Sequence, residues 1–360
     1  MAVGRFDVAN LFAEKAIEIL DESGVLSFVM PEHVWLGEYF IPFRTYLAHN
    51  VSIVEILSSK EESFEQTANP SSIFLVRKVE PSSAEQTIKL GSFDIKKGPE
   101  SFLVKTNIVP RVVFDEFTHK LTRKLQGLRY VTLDQVAIVT DGIQTADLLR
   151  VIFTQQPRDD KLYYRALRSG KSIRFRYAPI EWGGWWVLRP EYTRKYKRPG
   201  FSYDSPKRIK CFNAKEKIIL RQTEPTIFAT IDNNGYYFPN SIFQIALEED
   251  NQEKIRWLLG LLNSKFLRFF YSKLSQVEGT TKPQIYLNLL KSMPAPVDID
   301  LAIPQLVDEI LSLTRTEDYL SNPAKQAKVR DLECKIDQMV YQLYNLTPEE
   351  IAFVEGSCDK

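Results

Sequence analysis

Cysteine, histidine and methionine are scarce in this chain, with three, three and four among 360 residues. Cys211, Cys334 and Cys358 are odd in number, far apart and without Cys-x-x-Cys spacing, which excludes a disulfide framework and a zinc knuckle. His33, His49 and His119 are equally isolated, so no metal site is expected. Long apolar runs are also missing: none approaches the roughly 20 residues that span a bilayer. The opening "MAVGRFD" lacks the apolar stretch of a signal peptide, so a cytoplasmic chain without membrane contact is expected. No internal repeat or low-complexity tract stands out. An excess of charge is lacking as well, with 47 Lys and Arg against 46 Asp and Glu for a net +1. At 44% hydrophobic and 26% charged residues the composition is that of a globular protein with room for two or three domains.

What is present is a segregated charge. Residues 161 to 221 hold 17 Lys and Arg against Glu181, Glu191, Asp204 and Glu216, a local +13, which leaves −12 for the rest of the chain. A basic stretch in a neutral chain is the footprint of a polyanion-binding surface, because phosphate neutralisation with counterion release supplies most non-specific nucleic-acid affinity. A solvated charged face has the same composition.

The order of residues narrows this choice. In "SIRFRYA" strict alternation predicts a strand with Ile173, Phe175 and Tyr177 on one face and Arg174 and Arg176 on the other. Trp182, Gly183, Gly184, Trp185 and Trp186 follow. In "EYTRKYKRPGFSYDSPKR", Tyr192, Tyr196, Phe201 and Tyr203 then alternate with Arg194, Lys195, Lys197, Arg198, Lys207 and Arg208. Cations interleaved with rings suit nucleic acid, since Lys and Arg meet phosphates, Arg reads guanine edges and rings stack or wedge. The tryptophans, taken singly, fit a core as well as a contact. Direct DNA contact is expected from Arg174, Arg176, Arg194, Lys195, Lys197 and Arg198.

Along the chain, residues 7 to 20 predict a helix capped by Asp7, with Phe12, Ala16, Ile17 and Leu20 at helical spacing. "VLSFVMP", "VSIVEIL" and "SIFLVRKV" predict apolar strands, and "EHVWLGEYFIPFRTYLAHN" a partly helical segment interrupted by Pro42. This alternation suggests the closing half of an α/β domain with a mostly parallel sheet. Residues 80 to about 125 read as a hairpin and a linker, and about 130 to 250 as irregular β structure with turns such as Asn234-Gly235. Helical period returns in "KIRWLLGLLNSKFLRFFYSKL" and again at Leu332, Ile336, Met339 and Leu343. "TPEEI" is a capping box of Thr347 and Glu350 with Pro348 at the first helical position.

The order of "FDVANLFAEKAIEILDESGVLSFVMPEHVW", "TDGIQTA", "YYRALRSGKSIRFRY", "LLGLLNSKFLRFFYSKL", "YLNLLKSMPAP" and "KIDQMVYQLYNLTPEEIAFVE" resembles the C-terminal part of TaqI and Eco57I type DNA adenine-N6 methyltransferases of type II restriction-modification systems. The resemblance covers almost the whole chain. It implies an α/β plus β-rich architecture: the rear portion of a Rossmann-like methyltransferase sheet over 1–115, an irregular β-rich TaqI-like target-recognition domain over 116–297 and a helical C-terminal tail over 298–360. It implies double-stranded DNA as partner. In the complete family enzyme it implies S-adenosylmethionine as methyl donor and an adenine flipped out of the duplex.

Two positions carry over. Phe64, before the third strand, matches the ring that stacks on the flipped base, or else anchors a loop to the core. "TDGIQTA" matches the turn leading into the recognition sheet: Gly142 is expected to supply a backbone geometry other residues resist, and Gln144 and Thr145 to reach a base edge or hydrogen-bond the turn. The chain departs from the family pattern in having no Gly-x-Gly and no Asn-Pro-Pro-Tyr or Asp-Pro-Pro-Tyr; Asn69-Pro70 is followed by Ser71. No catalytic residue, cofactor or metal is expected in this chain alone, and no methylation by it. "PRDDK" at 157–161 has the residue types of a nuclease but no acidic partner on an adjacent strand. The expected role is the DNA-recognition part of such an enzyme, with a duplex clamped between the two domains. The alternatives are a subunit completing a chain that carries the missing N-terminal half, a stand-alone DNA-binding specificity protein or an inactive relic.

Overall fold

The computed structural model describes residues 7–59, 70–94, 97–109, 111–126, 130–157, 159–275 and 283–358, which form two compact units, Met1–Lys124 and Leu125–Lys360. Phe64 lies outside the described residues.

The first unit opens with helix α1 (Val8–Ile19), whose first turn is capped by Asp7 accepting from the Ala9 amide at 2.9 Å. Strand β1 (Val25–Pro31) follows, then α2 (His33–Leu36), a 3-10 turn and α3 (Ile41–Asn50). Pro42 does not interrupt this segment. It sits in the first turn of α3, where its missing N–H has no helical acceptor to lose. The fully buried Arg44 guanidinium donates to the carbonyls of Val34, Gly37 and Val109, tying the helices to the chain beyond the sheet.

Strands β2 (Ser52–Ser59), β3 (Ser71–Arg77), β4 (Glu85–Asp94) and β5 (Gly98–Asn107) complete a sheet of order β1-β3-β2-β4-β5. The three strands expected from sequence are all present, but the sheet is not mostly parallel: only β2 and β4 run parallel, and the other three pairs are antiparallel. The connections from β3 to β4 and from β4 to β5 are too short for helical crossovers, and Gly98 at φ 88° turns the second of them. Ala13, Ile17, Met30, Trp35, Leu47, Ile56, Phe74, Val76, Ile88 and Leu90 form the core. At the end of β1 the Glu32 carboxyl is pushed up to about 7 by burial, against the pull of the Ser58 hydroxyl that donates to it. Residues 116–126, expected as a linker, form α4 (Glu116–Gln126), which buries Leu121 and Leu125 one turn apart.

The second unit is built on small antiparallel sheets. Strand β6 (Tyr130–Thr132) pairs with β14 (Pro294–Pro296), and α5 (Leu133–Val136) leads into β7 (Ile138–Asp141). After α6 (Leu149–Ile152), strands β8 (Phe153–Thr154), β9 (Tyr163–Ala166) and β10 (Trp185–Leu188) form a sheet with β10 in the middle. Helices α7 (Pro190–Thr193) and α8 (Pro206–Asn213) precede β11 (Lys217–Arg221), β12 (Ala229–Asp232) and β13 (Ile242–Ala246), which join β7 in the order β12-β11-β13-β7.

The apolar run at 254–274 is two helices, α9 (Gln252–Asn263) and α10 (Lys265–Ser275). The Asn263 side chain exchanges hydrogen bonds with the Ala229 main chain at 3.0 and 3.1 Å, and Asp337 accepts from the Lys265 amide at 2.7 Å; these tertiary ties break the helix at Ser264. Helices α11 (Leu287–Lys291), α12 (Ala302–Thr314), α13 (Pro323–Leu343) and α14 (Pro348–Cys358) close the chain. Gly260 lets α9 and α12 approach closely, since a Cβ there would meet Ile303 Cγ2 at 2.6 Å. The buried stripe of α13 is Val329, Leu332, Ile336 and Val340, so Met339 and Leu343 are only half-buried. The capping box stands as read, with Glu350 accepting from the Thr347 amide at 2.8 Å and Thr347 Oγ1 from the Glu350 amide at 3.3 Å.

Candidate nucleic-acid interface

Residues 173–177 are not a strand. Ile173 is buried, Phe175 leans on Tyr319, and Tyr177, at φ 60° and 1% exposed, reverses the chain. The Tyr177 carbonyl accepts from Thr314 Oγ1 at 2.8 Å. The alternation therefore reports a turn wedged against the C-terminal helices. Arg174 pairs with Glu181 at 2.7 Å, and Arg176 donates to Glu333 Oε1 through Nε at 3.1 Å and Nη2 at 2.8 Å.

The other basic candidates lie elsewhere. The turn after β7 and the loop after α7 are joined by an antiparallel bridge in which Gln144 and Ser202 exchange main-chain hydrogen bonds, both 2.9 Å. Arg208, 4% exposed, locks the two together: its Nη2 reaches Asp141 Oδ1 at 2.8 Å while Nη1 donates to the carbonyl and hydroxyl of Ser202 at 2.9 and 3.0 Å. Arg198 meets Asp147 at 3.7 Å across the same junction. Arg194, Lys195, Lys197 and Arg198 are exposed on this loop, with Lys195 lying over the Tyr196 ring at 5.2 Å and Gly200 at φ 77° closing the bend. The fold thus brings "TDGIQTA" and four of the six basic candidates to one place, and puts Arg174 and Arg176 in another.

Within the turn, Gly142 does not adopt a left-handed geometry. It is needed for space, because a Cβ there would meet the carbonyls of Phe238 and Pro239 at 2.4 and 2.5 Å. The exposed Gln144 donates its amide to Asp141 Oδ2 at 2.8 Å, and Thr145 is buried. Beneath the loop, Tyr164, Tyr237 and Phe212 stack with centroids 4.3 and 4.2 Å apart, and burial pushes the Tyr203 and Tyr237 phenols up so that they stay neutral.

Of the 17 cations in 161–221, seven make ion pairs among the described residues: Arg174, Arg176, Arg198, Arg208, Lys210, Lys217 and Arg221. Lys217 and Asp232 form a fully buried pair at 2.8 Å that has nothing to offer a ligand. Sequence reasoning missed the pairing because Glu333, Asp147, Asp141 and Glu248 all lie outside the basic stretch. It also missed Arg165, Arg168 and Arg189, whose signal was present as nearby aromatic residues: each guanidinium lies over a ring at 4.6 to 5.3 Å. Among the described residues no group of three or more His, Cys, Asp and Glu is placed to hold a metal, and no helix is long and apolar enough to cross a membrane.

Comparison with known proteins finds two matching families, each over part of the chain. Residues 185–295 match the TaqI-like C-terminal specificity domain, and residues 2–64 match the Eco57I restriction-modification methylase. The structure is similar to the type IIL restriction-modification enzyme MmeI solved in complex with DNA, with a TM-score of 0.58 and 14% identity over 98% of this chain and 52% of that one. This chain therefore spans about half of that enzyme's length, and at this identity the likeness is one of fold. Looser matches include the DrdV-DNA complex (TM-score 0.45, 8% identity, 88% of this chain and 42% of that one). Another is a type I restriction-modification S subunit from M. genitalium (0.26, 14%, 64% and 52%). No curated protein matches the chain. The chain thus carries a segment similar to the Eco57I restriction-modification methylase at 2–64 and one similar to the TaqI-like C-terminal specificity domain at 185–295.

Proposed function

We propose that this chain is the DNA-recognition part of an adenine-N6 methyltransferase, with the turn at 141–147 and the loop at 194–203 facing duplex DNA. The observation that carries this reading is the junction of Gln144 and Ser202 locked by Arg208, which holds Arg194, Lys195 and Lys197 exposed and, among the described residues, without a carboxylate partner. Cations fixed on a buried frame and left unpaired by the protein meet phosphates and base edges at little cost in ordering. Replacing Arg194, Lys195 and Lys197 by Ala lowers the slope of log affinity against log salt by up to about 2.7, at roughly 0.9 per phosphate contact. A salt series with the full chain and a mixed-sequence duplex measures it, and an unchanged slope overturns the reading.

The first unit fits the rear portion of a Rossmann-like methyltransferase sheet: β1 and β2 run in the same direction on either side of the reversed β3. No residue of this chain is assigned to S-adenosylmethionine. With no Gly-x-Gly and no Asn-Pro-Pro-Tyr in the sequence, the chain alone is expected not to methylate DNA.

One observation favours a second role, completion of a chain that carries those motifs. Among the described residues β1 pairs only with β3, and Val25 and Val29 on it and Val8, Phe12 and Ile19 on α1 are 48 to 73% exposed. Co-purification with a chain containing both motifs supports this role, and a stable monomer at high concentration counts against it.

A further inference from the structure

One face of the three-stranded sheet carries a layer of indoles and guanidinium. Trp186 on β10 is paired across to Arg165 on β9 and to Thr154 on β8, so strand alternation puts the three side chains on one face, opposite the buried Val187. The Trp182 ring stands edge-on to Trp186, with centroids 5.3 Å apart at 80°. Over Trp182 lies the Arg165 guanidinium, 4.9 Å from the ring centroid, while Arg168 lies over Trp185 at 5.3 Å, on the strand residue that alternates to the other face.

The rings are held in place independently of any ligand. Trp182 Nε1 donates to the Trp185 carbonyl at 2.8 Å, Gln155 donates to the Gly183 carbonyl at 3.0 Å, and Gly184 at φ 72° makes the bend between them. By contrast, neither guanidinium has a hydrogen-bond acceptor or an acidic partner among the described residues. Glu181, next to Trp182 in the sequence, is already engaged by Arg174 at 2.7 Å.

A guanidinium stacked on indole has its flat face covered and its rotamer fixed, while its N–H edge stays open. What fits that edge is an oxyanion that accepts two parallel N–H bonds, and the prior ordering of the side chain lowers the entropic cost of the contact. On the unit that the DNA-recognition reading turns toward a duplex, the backbone phosphates supply that oxyanion.

We infer that Arg165 and Arg168, stacked on Trp182 and Trp185, form a second DNA contact that grips backbone phosphates whatever the base sequence. This rests on the DNA-recognition reading and assigns a division of labour within it. The stacked arginines contact phosphates alone, and the loops meet both phosphates and base edges.

The test uses the full chain, a fluorescein-labelled mixed-sequence duplex and fluorescence anisotropy over a salt series. Three variants are compared with wild type: Arg165→Ala with Arg168→Ala, the charge-preserving Arg165→Lys with Arg168→Lys, and the loop variant at 194, 195 and 197. The Ala pair is expected to lower the salt slope by roughly 1.8, at about 0.9 per phosphate. The Lys pair keeps the charge but loses the fork and the stack, so it is expected to bind at least about threefold more weakly than wild type. Circular dichroism melting of both pairs at the wild-type temperature ties the losses to contact. If the Lys pair binds as wild type does, or the Ala pair keeps the full slope while the loop variant loses it, the stacked arginines are not the contact and the loop reading stands. If wild type fails to bind the duplex at low salt, both readings fall.

Discussion

The turn at 173–178 and the loop at 194–203 have nearly the same vocabulary, arginines or lysines alternating with aromatic residues, and the structure uses them in opposite ways. In the first, Phe175 and Tyr177 pack inward and both arginines are paired, Arg174 by Glu181 and Arg176 by Glu333. In the second, Arg194, Lys195 and Lys197 stay exposed beside a junction whose own buried charge, Arg208, is satisfied from below. Local composition sets how much charge a segment has; residues far along the chain, such as Glu333, decide how much of it reaches solvent.

The comparison breaks most visibly at Arg208. Arg208→Ala leaves the Asp141 carboxylate buried and unpaired and frees Ser202, at a cost of about 3–5 kcal/mol for a broken buried pair. Urea unfolding reads that loss, and a change under about 1 kcal/mol shows that the junction holds without it.

Arg176→Ala is the next largest. Its partner Glu333 has a side chain 20% exposed, so removing the charge-assisted bonds costs about 1–3 kcal/mol, while the salt slope for DNA stays at the wild-type value. A flattened slope with unchanged stability reverses the assignment and puts Arg176 back among the DNA contacts.

The smallest effect sharpens the comparison through pH. Asp337, one turn along α13 from Glu333, has its carboxyl pushed up to about 6 by burial, against the Lys265 amide and the charge of Arg176, which pull it down. Because the folded value lies above the unfolded one of about 4, the fold favours the neutral acid. That stabilisation is complete below about pH 4 and fades as the pH rises through about 6. Asp337→Asn flattens the dependence over this window, and Arg176→Ala extends it to higher pH, as unfolding free energies measured across the range would report.

Much of the first unit was legible because its signals are local. Asp7 caps α1, the three apolar runs are β1, β2 and β3, and the "TPEEI" box caps α14 in the second. Strand direction was not legible, since it depends on how short connections route β3 and β4 around β2. Nor was the break between α9 and α10, which is imposed by Asn263 reaching Ala229 and by Asp337 reaching Lys265 from distant elements. At the candidate interface, residue types were readable and their availability was not: Arg176 and Lys195 are equally basic in sequence, and only tertiary structure separates them.

The bridge between Gln144 and Ser202 is made entirely by main-chain groups, and Arg208 grips it through Asp141 and Ser202, outside the run from 194 to 198. Substitution within that run therefore leaves the frame's hydrogen bonds intact. The exposed Arg194, Lys195 and Lys197 can therefore be replaced one at a time without first losing the fold, while Tyr196, packed against the core, pins the run in place.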